Sequence, residues 1–151
     1  MPDLRFYPEW LVADGKKVSL RNQVHEDYAR PMEREGRGVA SQKVDYAPTI
    51  ILNRAIEFIE DHRSDRFFLY LPVNQPHANN EAGGDPRSNR NGMEVPTLRA
   101  FEDESWPDTE KGFAEMLRQI DEAMGEILQT LKRLGLEEQT MVLFSSDNGP
   151  H

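Results

Sequence analysis

Seven apolar residues, Phe113, Leu117, Ile120, Met124, Ile127, Leu131 and Leu134, recur at intervals of 4-3-4-3-4-3. At 3.6 residues per turn, that spacing lines them up on one stripe of an α-helix. The positions between them are mostly Glu, Asp, Gln, Arg and Lys. The spacing predicts an amphipathic helix over 107–134 with one face against a core. Pro107 and Asp108 suit its first turn, and Gly135 suits the position just past its end. The other segments then have to supply the surface that this stripe packs on.

A second helix is expected over 46–63. Pro48 fits the first turn, where its missing N–H costs nothing. Ile51, Ala55, Phe58, Ile59 and His62 recur at helical spacing, with Glu57, Glu60, Asp61 and Arg63 on the other side. Two short apolar runs without alternation follow the helices. Residues 66–73, RFFLYLPV, and 140–146, TMVLFSS, read as strands covered on both faces, as in a parallel sheet flanked by helices. Pro72 ends the pairing capacity of the first. The order helix, strand, long excursion, helix, strand indicates an α/β protein with a mainly parallel sheet. Two strands do not make a stable sheet, so further members are expected.

The remainder is polar. Residues 1–45 carry an aromatic cluster in RFYPEWLV, a turn at Asp14-Gly15 and a short strand candidate in KKVSL. Residues 21–43, with Pro31, Gly36 and Gly38, read as loop. Residues 74–105, with Pro76, Gly83-Gly84, Pro86, Asn91-Gly92 and Pro96, form an excursion of a length usually reserved for functional or disordered segments.

Composition narrows the functional classes. Eighteen Lys and Arg against 27 Asp and Glu give a formal charge of −9. That balance is a poor footing for nucleic acid, which needs clustered cations. The chain has no cysteine, so these residues hold no disulfide scaffold, thiolate zinc site or cysteine nucleophile. The run Phe67 to Val73 is far short of the ~20 residues of a membrane span. MPDLRFYPEW lacks a basic stretch followed by an apolar core, the pattern of a secretory signal.

In open α/β sheets, ligands bind beyond the C-terminal ends of the strands. That rule selects Asn74-Gln75-Pro76-His77 and Asp147-Asn148-Gly149-Pro150, which parallel strands would bring to one edge. Asp147 and Asn148 place a carboxylate and an amide carbonyl side by side, oxygens that suit Ca²⁺ or Mg²⁺. Two oxygens do not fill a shell of six to eight. The same residues also make an ordinary Asp-Asn-Gly turn. His77 is a candidate acid or base near neutral pH, against the plainer reading of a surface histidine. His25 and His62, in a polar loop and on a helix, take the plainer reading.

Three stretches resemble the sulfatase family of the alkaline-phosphatase-like superfamily, of arylsulfatase type. The first is AIEFIEDHRSDRFFLYLPVNQPHANN, similar to the family segment that runs into a proline-histidine pair. The second is GFAEMLRQIDEAMGEILQTLKRLGLEEQTMVLFSSDNGPH, similar to the family helix followed by SDNG. Gly125 and Thr140 fall where that pattern expects them. The third, weaker, is YPEWLVADGKKVSL. The resemblance implies a three-layer α/β/α sandwich and a sulfuric ester hydrolase. It implies Asp147 and Asn148 as ligands of a divalent metal, usually Ca²⁺. It implies that His77 contacts the sulfate ester and assists departure of the alcohol. Asn79 and Asn80 fall in the variable substrate-facing loop and receive no assigned role.

The family nucleophile is a formylglycine made from Cys or Ser within Cys/Ser-x-Pro-x-Arg. Ser105-Trp106-Pro107 meets the proline condition and fails at Thr109, where arginine is needed. Residues 1–151 are therefore expected to be the middle segment of a sulfatase catalytic domain, with the formylglycine region before it and the C-terminal part after it. The expected substrate is a small-molecule or carbohydrate sulfate ester, and the resemblance suggests a periplasmic or secreted protein. The alternatives are a phosphatase or phosphodiesterase of the same superfamily, and a non-catalytic cation-binding or interaction domain.

Overall fold

The computed structural model of the chain describes residues 5–25, 39–82, 85 and 87–149. The loop signals at Pro31, Gly36, Gly38, Gly83-Gly84, Pro86 and Pro150 lie outside them. Strands β1 (Trp10–Ala13) and β2 (Lys16–Ser19) pair antiparallel, with Ala13 opposite Lys16. The two-residue connection is the predicted Asp14-Gly15 turn. Both residues have positive φ, 51° and 73°, as the tightest hairpin turns require. Strands β3 (Gln23–Val24) and β4 (Ala40–Gln42) form a second antiparallel pair within the stretch expected to be loop. Their short, mostly polar sequences carry no strand signal. The buried Asn22 holds the region together instead. Its Nδ2 donates to the carbonyls of Pro8 and Asp45 at 2.7 and 2.8 Å, and its Oδ1 accepts from the amides of Val44 and Asp45 at 2.8 and 2.9 Å.

Both helices form where the periodicity places them. Helix α1 spans Ala47–Asp61 with Pro48 in its first turn, and its Ala47 amide donates to the Phe6 carbonyl at 2.9 Å. Helix α2 spans Asp108–Arg133. It ends on Gly135 at φ 70°, with Leu136 N–H on the Leu131 carbonyl (2.8 Å) and Gly135 N–H on the Lys132 carbonyl (3.0 Å). That paired closure satisfies carbonyls the helix end would otherwise leave open. The helices pack on each other, Ala55 and Ile59 of α1 and Thr130 and Leu131 of α2 are buried, and Arg133 Nη2 lies 2.5 Å from Glu60 Oε1.

All of the predicted stripe of α2 except Leu117 is buried or half-buried, and in the first half the deepest burial is rolled to one side of it. Its buried residues are Gly112, Glu115, Met116, Thr130 and Leu131, while Leu117 is 46% exposed. The first half faces a core of Phe6, Tyr7, Ala40, Tyr46, Val95, Leu98 and Met116, with Met93 packed against it. The excursion 74–105 thus supplies core residues and is folded into short 3₁₀ turns at Asn80–Ala82, Asn89–Gly92 and Arg99–Phe101.

The strands expected at 66–73 and 140–146 are not formed. Neither run belongs to a strand, and the two sheets among the described residues are antiparallel. Nor are the runs covered: Phe68, Tyr70, Leu143 and Phe144 are 86%, 76%, 85% and 69% exposed. A strand exists by hydrogen bonding to a neighbour, and the described residues offer these runs none.

Candidate active site

His77 sits in a turn closed by its own amide on the Asn74 carbonyl at 3.0 Å. The turn is anchored on both sides. Upstream, the buried Gln75 donates through Nε2 to Gln119 Oε1 of α2 at 2.6 Å and to the Tyr46 hydroxyl at 3.3 Å. Downstream, the fully buried Asn79 donates its amide to the Gly92 carbonyl at 3.0 Å. Between the anchors the ring itself is oriented, because His77 Nδ1 lies 2.6 Å from the Ala78 carbonyl. A carbonyl can only accept, so Nδ1 carries the proton of that bond.

The upstream anchor continues into the helix. Gln119 Nε2 donates to Oε1 of Glu115 at 3.1 Å. Glu115 is fully buried and meets Arg118 in a two-pronged pair, Nη2–Oε1 at 2.7 Å and Nε–Oε2 at 2.9 Å. Such paired, charge-assisted bonds fix direction as well as distance. Arg118 in turn pairs with Glu122, which also accepts from Arg99 at 3.0 Å. On the other side, the Tyr46 hydroxyl lies 3.1 Å from the Glu94 carbonyl. The buried Glu94 carboxylate accepts from Lys43 at 2.6 Å. Burial, followed by the charge of Glu94, pushes the Tyr7 phenol well above its ordinary range. For Tyr46 the causes of the upward shift are burial first, then Tyr7. Both phenols are therefore held neutral.

Asp147 and Asn148 stand in a different setting. Every residue from 141 to 149 is exposed. Ser146 Oγ donates to the Asn148 carbonyl at 2.5 Å, a local turn bond of the kind the plainer reading expects. Among the described residues, no three His, Cys, Asp or Glu side chains converge in a way that would hold a metal. The two oxygens suit a hard cation in kind and fall short in number. A groove of about 370 Å³ between the helices is lined by Ile56, Glu126, Gln129, Thr130 and Arg133, and no candidate site residue faces it. Among the described residues, no helix is long and apolar enough to cross a membrane.

The residues that build this site were mostly invisible as such in the sequence. Tyr46, Gln75, Glu94 and Gln119 lie far apart in the chain, and no local spacing ties them to one another. Gly112 and Gly125 both stand inside a strongly periodic helix, and the sequence does not say which of them marks a close approach.

Comparison with known proteins bears on all of this. The family model for sulfatases matches residues 12–151. An N-acetylgalactosamine-6-O-sulfatase of Bacteroides thetaiotaomicron is 36% identical over 101 residues, which is 67% of this chain and 16% of the relative. An N-acetylgalactosamine-6-sulfatase of Rattus norvegicus is 29% identical over 102 residues, 66% of this chain and 16% of the relative. An arylsulfatase of Hemicentrotus pulcherrimus is 27% identical over 97 residues, 64% and 14% of the two chains. The matched region thus spans about a sixth of the length of these relatives. No solved structure matches the chain. The family match runs through the helices, the His77 turn and the Asp147-Asn148 segment alike, and the chain belongs to the sulfatase family.

Proposed function

We propose that this chain is the middle segment of a sulfuric ester hydrolase, in which His77 protonates the departing alcohol and Asp147 and Asn148 supply oxygens to a divalent cation, Ca²⁺. The observation that carries this reading is the orientation of His77. Its Nδ1 is committed to the Ala78 carbonyl, and its turn is tied to α2 through Gln75 and to Gly92 through Asn79. An acid positioned before the substrate arrives loses little freedom at the moment of reaction. In this reading the imidazolium form of His77 gives a proton to the leaving oxygen.

Asp147 and Asn148 would provide two of the six to eight oxygens Ca²⁺ takes, and the others would come from outside the described residues. A cation bound there would supply charge neutralisation of the sulfate oxygens. Residues 1–151 hold no formylglycine precursor motif, so in this reading the attacking group would come from outside them. In the complete domain the two apolar runs 66–73 and 140–146 become strands of a mainly parallel sheet within an alkaline-phosphatase-like three-layer sandwich. The substrate is a carbohydrate sulfate ester, following the names of the Bacteroides and Rattus relatives.

The test is leaving-group dependence in the full-length enzyme carrying this segment. His77→Ala is expected to lower turnover of N-acetylgalactosamine 6-sulfate by about 10²–10⁴-fold, the usual contribution of acid catalysis. It should lower turnover of an activated aryl sulfate far less, because a good leaving group needs no proton. Equal losses on both substrates would remove His77 from the acid role. Faster hydrolysis of aryl phosphate than of aryl sulfate by the same enzyme would favour the phosphatase reading.

A further inference from the structure

Two glycines, Gly92 and Gly112, mark places where backbone layers touch. Gly112 lies on the buried face of α2. A Cβ built there would sit 2.8 Å from both the Cβ and the carbonyl oxygen of Met93, and 3.0 Å from Arg90 Cδ. Gly92 has φ 89°, and its Cβ would sit 2.4 Å from the Asn79 carbonyl oxygen and 3.0 Å from the Asn79 carbonyl carbon. Neither approach leaves room for a methyl group. Arg90 and Asn91, just before Gly92, also adopt positive φ, 54° and 51°, so the turn is wound left-handed over three residues. L-residues rarely take that conformation, and the surrounding packing has to hold it.

One peptide unit connects this stack to the histidine. The peptide joining Ala78 to Asn79 donates its N–H to the Gly92 carbonyl at 3.0 Å, and its C=O accepts from His77 Nδ1 at 2.6 Å. Turning that peptide plane turns both bonds at once. The orientation of the His77 ring is therefore coupled to the height at which Gly92 rests, and Gly92 rests on α2 through Met93 and Gly112.

We propose that Gly112 and Gly92 are positioning residues for His77: the close approach at Gly112 seats the left-handed 90–92 turn on α2, and the turn sets the Ala78–Asn79 peptide that holds the imidazole in its Nδ1–H tautomer. The proposal rests on the reading of His77 as the acid and specifies how the fold aims it. The same helix carries an internal control. Gly125 has no heavy atom within 4 Å of its would-be Cβ, so an added methyl group there meets nothing.

The experiment is long-range ¹H–¹⁵N NMR of the histidines in the full-length protein carrying this segment, with amide exchange at Asn79 measured alongside. The wild-type chain is expected to show neutral His77 as a single Nδ1–H tautomer and a slowly exchanging Asn79 amide. Gly112→Ala should give a tautomer mixture and accelerate Asn79 exchange roughly tenfold or more. Gly125→Ala should leave both unchanged. A merely structural role for Gly112 would lower overall stability and leave the tautomer of the folded protein intact, and that result would overturn the proposal. If Gly112→Ala fails to fold, Met93→Gly loosens the same layer without adding a clash. Loss of the single tautomer there supports the proposal, and its retention overturns it. These readouts are independent of turnover. An intact relay beside an unimportant His77 would strike only the catalytic reading, and a catalytic His77 with an unperturbed ring in the variants would strike only the relay.

Discussion

The two halves of the candidate site differ in how much of their geometry this chain supplies. Around His77, the turn is tied down at Gln75 and Asn79 and backed by a core containing Tyr46 and Met116. Around Asp147, residues 141–149 are all exposed, and the apolar run 140–146 ahead of it has no strand partner among the described residues. Both segments carry recognisable family motifs. A motif names the chemistry, and only packing gives it a position. The His77 turn is held by contacts from Tyr46, α2 and the 90–98 segment, and the Asp147-Asn148 pair has no built surroundings among the described residues.

The largest test of that contrast strikes the core behind His77. Met116 is fully buried, so Met116→Ala should destabilise the chain by about 2–5 kcal/mol, read from urea unfolding. The next removes the anchor itself. Gln119→Ala strips partners from Gln75, Tyr46 and Glu115 and should cost about 1–3 kcal/mol, since buried polar groups lose their bonds. A loss within experimental error would mean that water replaces the glutamine and that the turn is looser than described.

The alkaline limb follows from the buried phenols. Folding raises the pKa of Tyr7 and Tyr46, so their contribution to stability is fully present below the unfolded value of about 10. As pH climbs past that value, the unfolded chain releases protons that the folded chain keeps. Stability should then fall by up to about 1.4 kcal/mol per pH unit for each phenol. Tyr46→Phe should flatten the slope in pH-dependent melts, and an unchanged slope would exclude Tyr46 as its source.

On the other side of the comparison, the expected effects on stability are small. Leu143→Ser should change unfolding free energy by no more than about 0.5 kcal/mol, because the side chain is 85% exposed. The same change should reduce concentration-dependent association in gel filtration, since Phe68, Tyr70, Met141, Leu143 and Phe144 leave large apolar side chains in water. Calorimetric titration of the 151-residue chain with Ca²⁺ should give no binding isotherm, two oxygens being too few. Tight binding abolished by Asp147→Ala would show that the Asp147-Asn148 pair is better built than its exposure indicates.

Legibility in the sequence followed the range of the interactions. Helices α1 and α2, the Asp14-Gly15 turn and the Gly135 closure were all readable, because each depends on residues within a few positions of one another. The runs 66–73 and 140–146 were readable as apolar segments but not as strands of this structure, because pairing needs a neighbour elsewhere in the chain. The sequence identified the stripe of α2, of which Leu117 alone is exposed, but not that Gly112, Glu115 and Met116 beside it would be the most buried positions of the first half. Periodicity says which residues share a side, and the packing partners decide how far the helix is rolled. His77 was visible as a candidate, yet nothing local showed that Gln75 would find Gln119, or that Asn79 would rest on Gly92.

The sequence by itself determined the helices, their ends, the family and the residue types available for chemistry, since these are written in spacing and in short motifs. Only the tertiary structure decided that the Ala78–Asn79 peptide links the imidazole of His77 to Gly92, that the 90–92 turn rests on α2 at Gly112, and that Asp147 and Asn148 stand in water. Those outcomes depend on close approach between residues distant in sequence, and sequence spacing carries no distance between them.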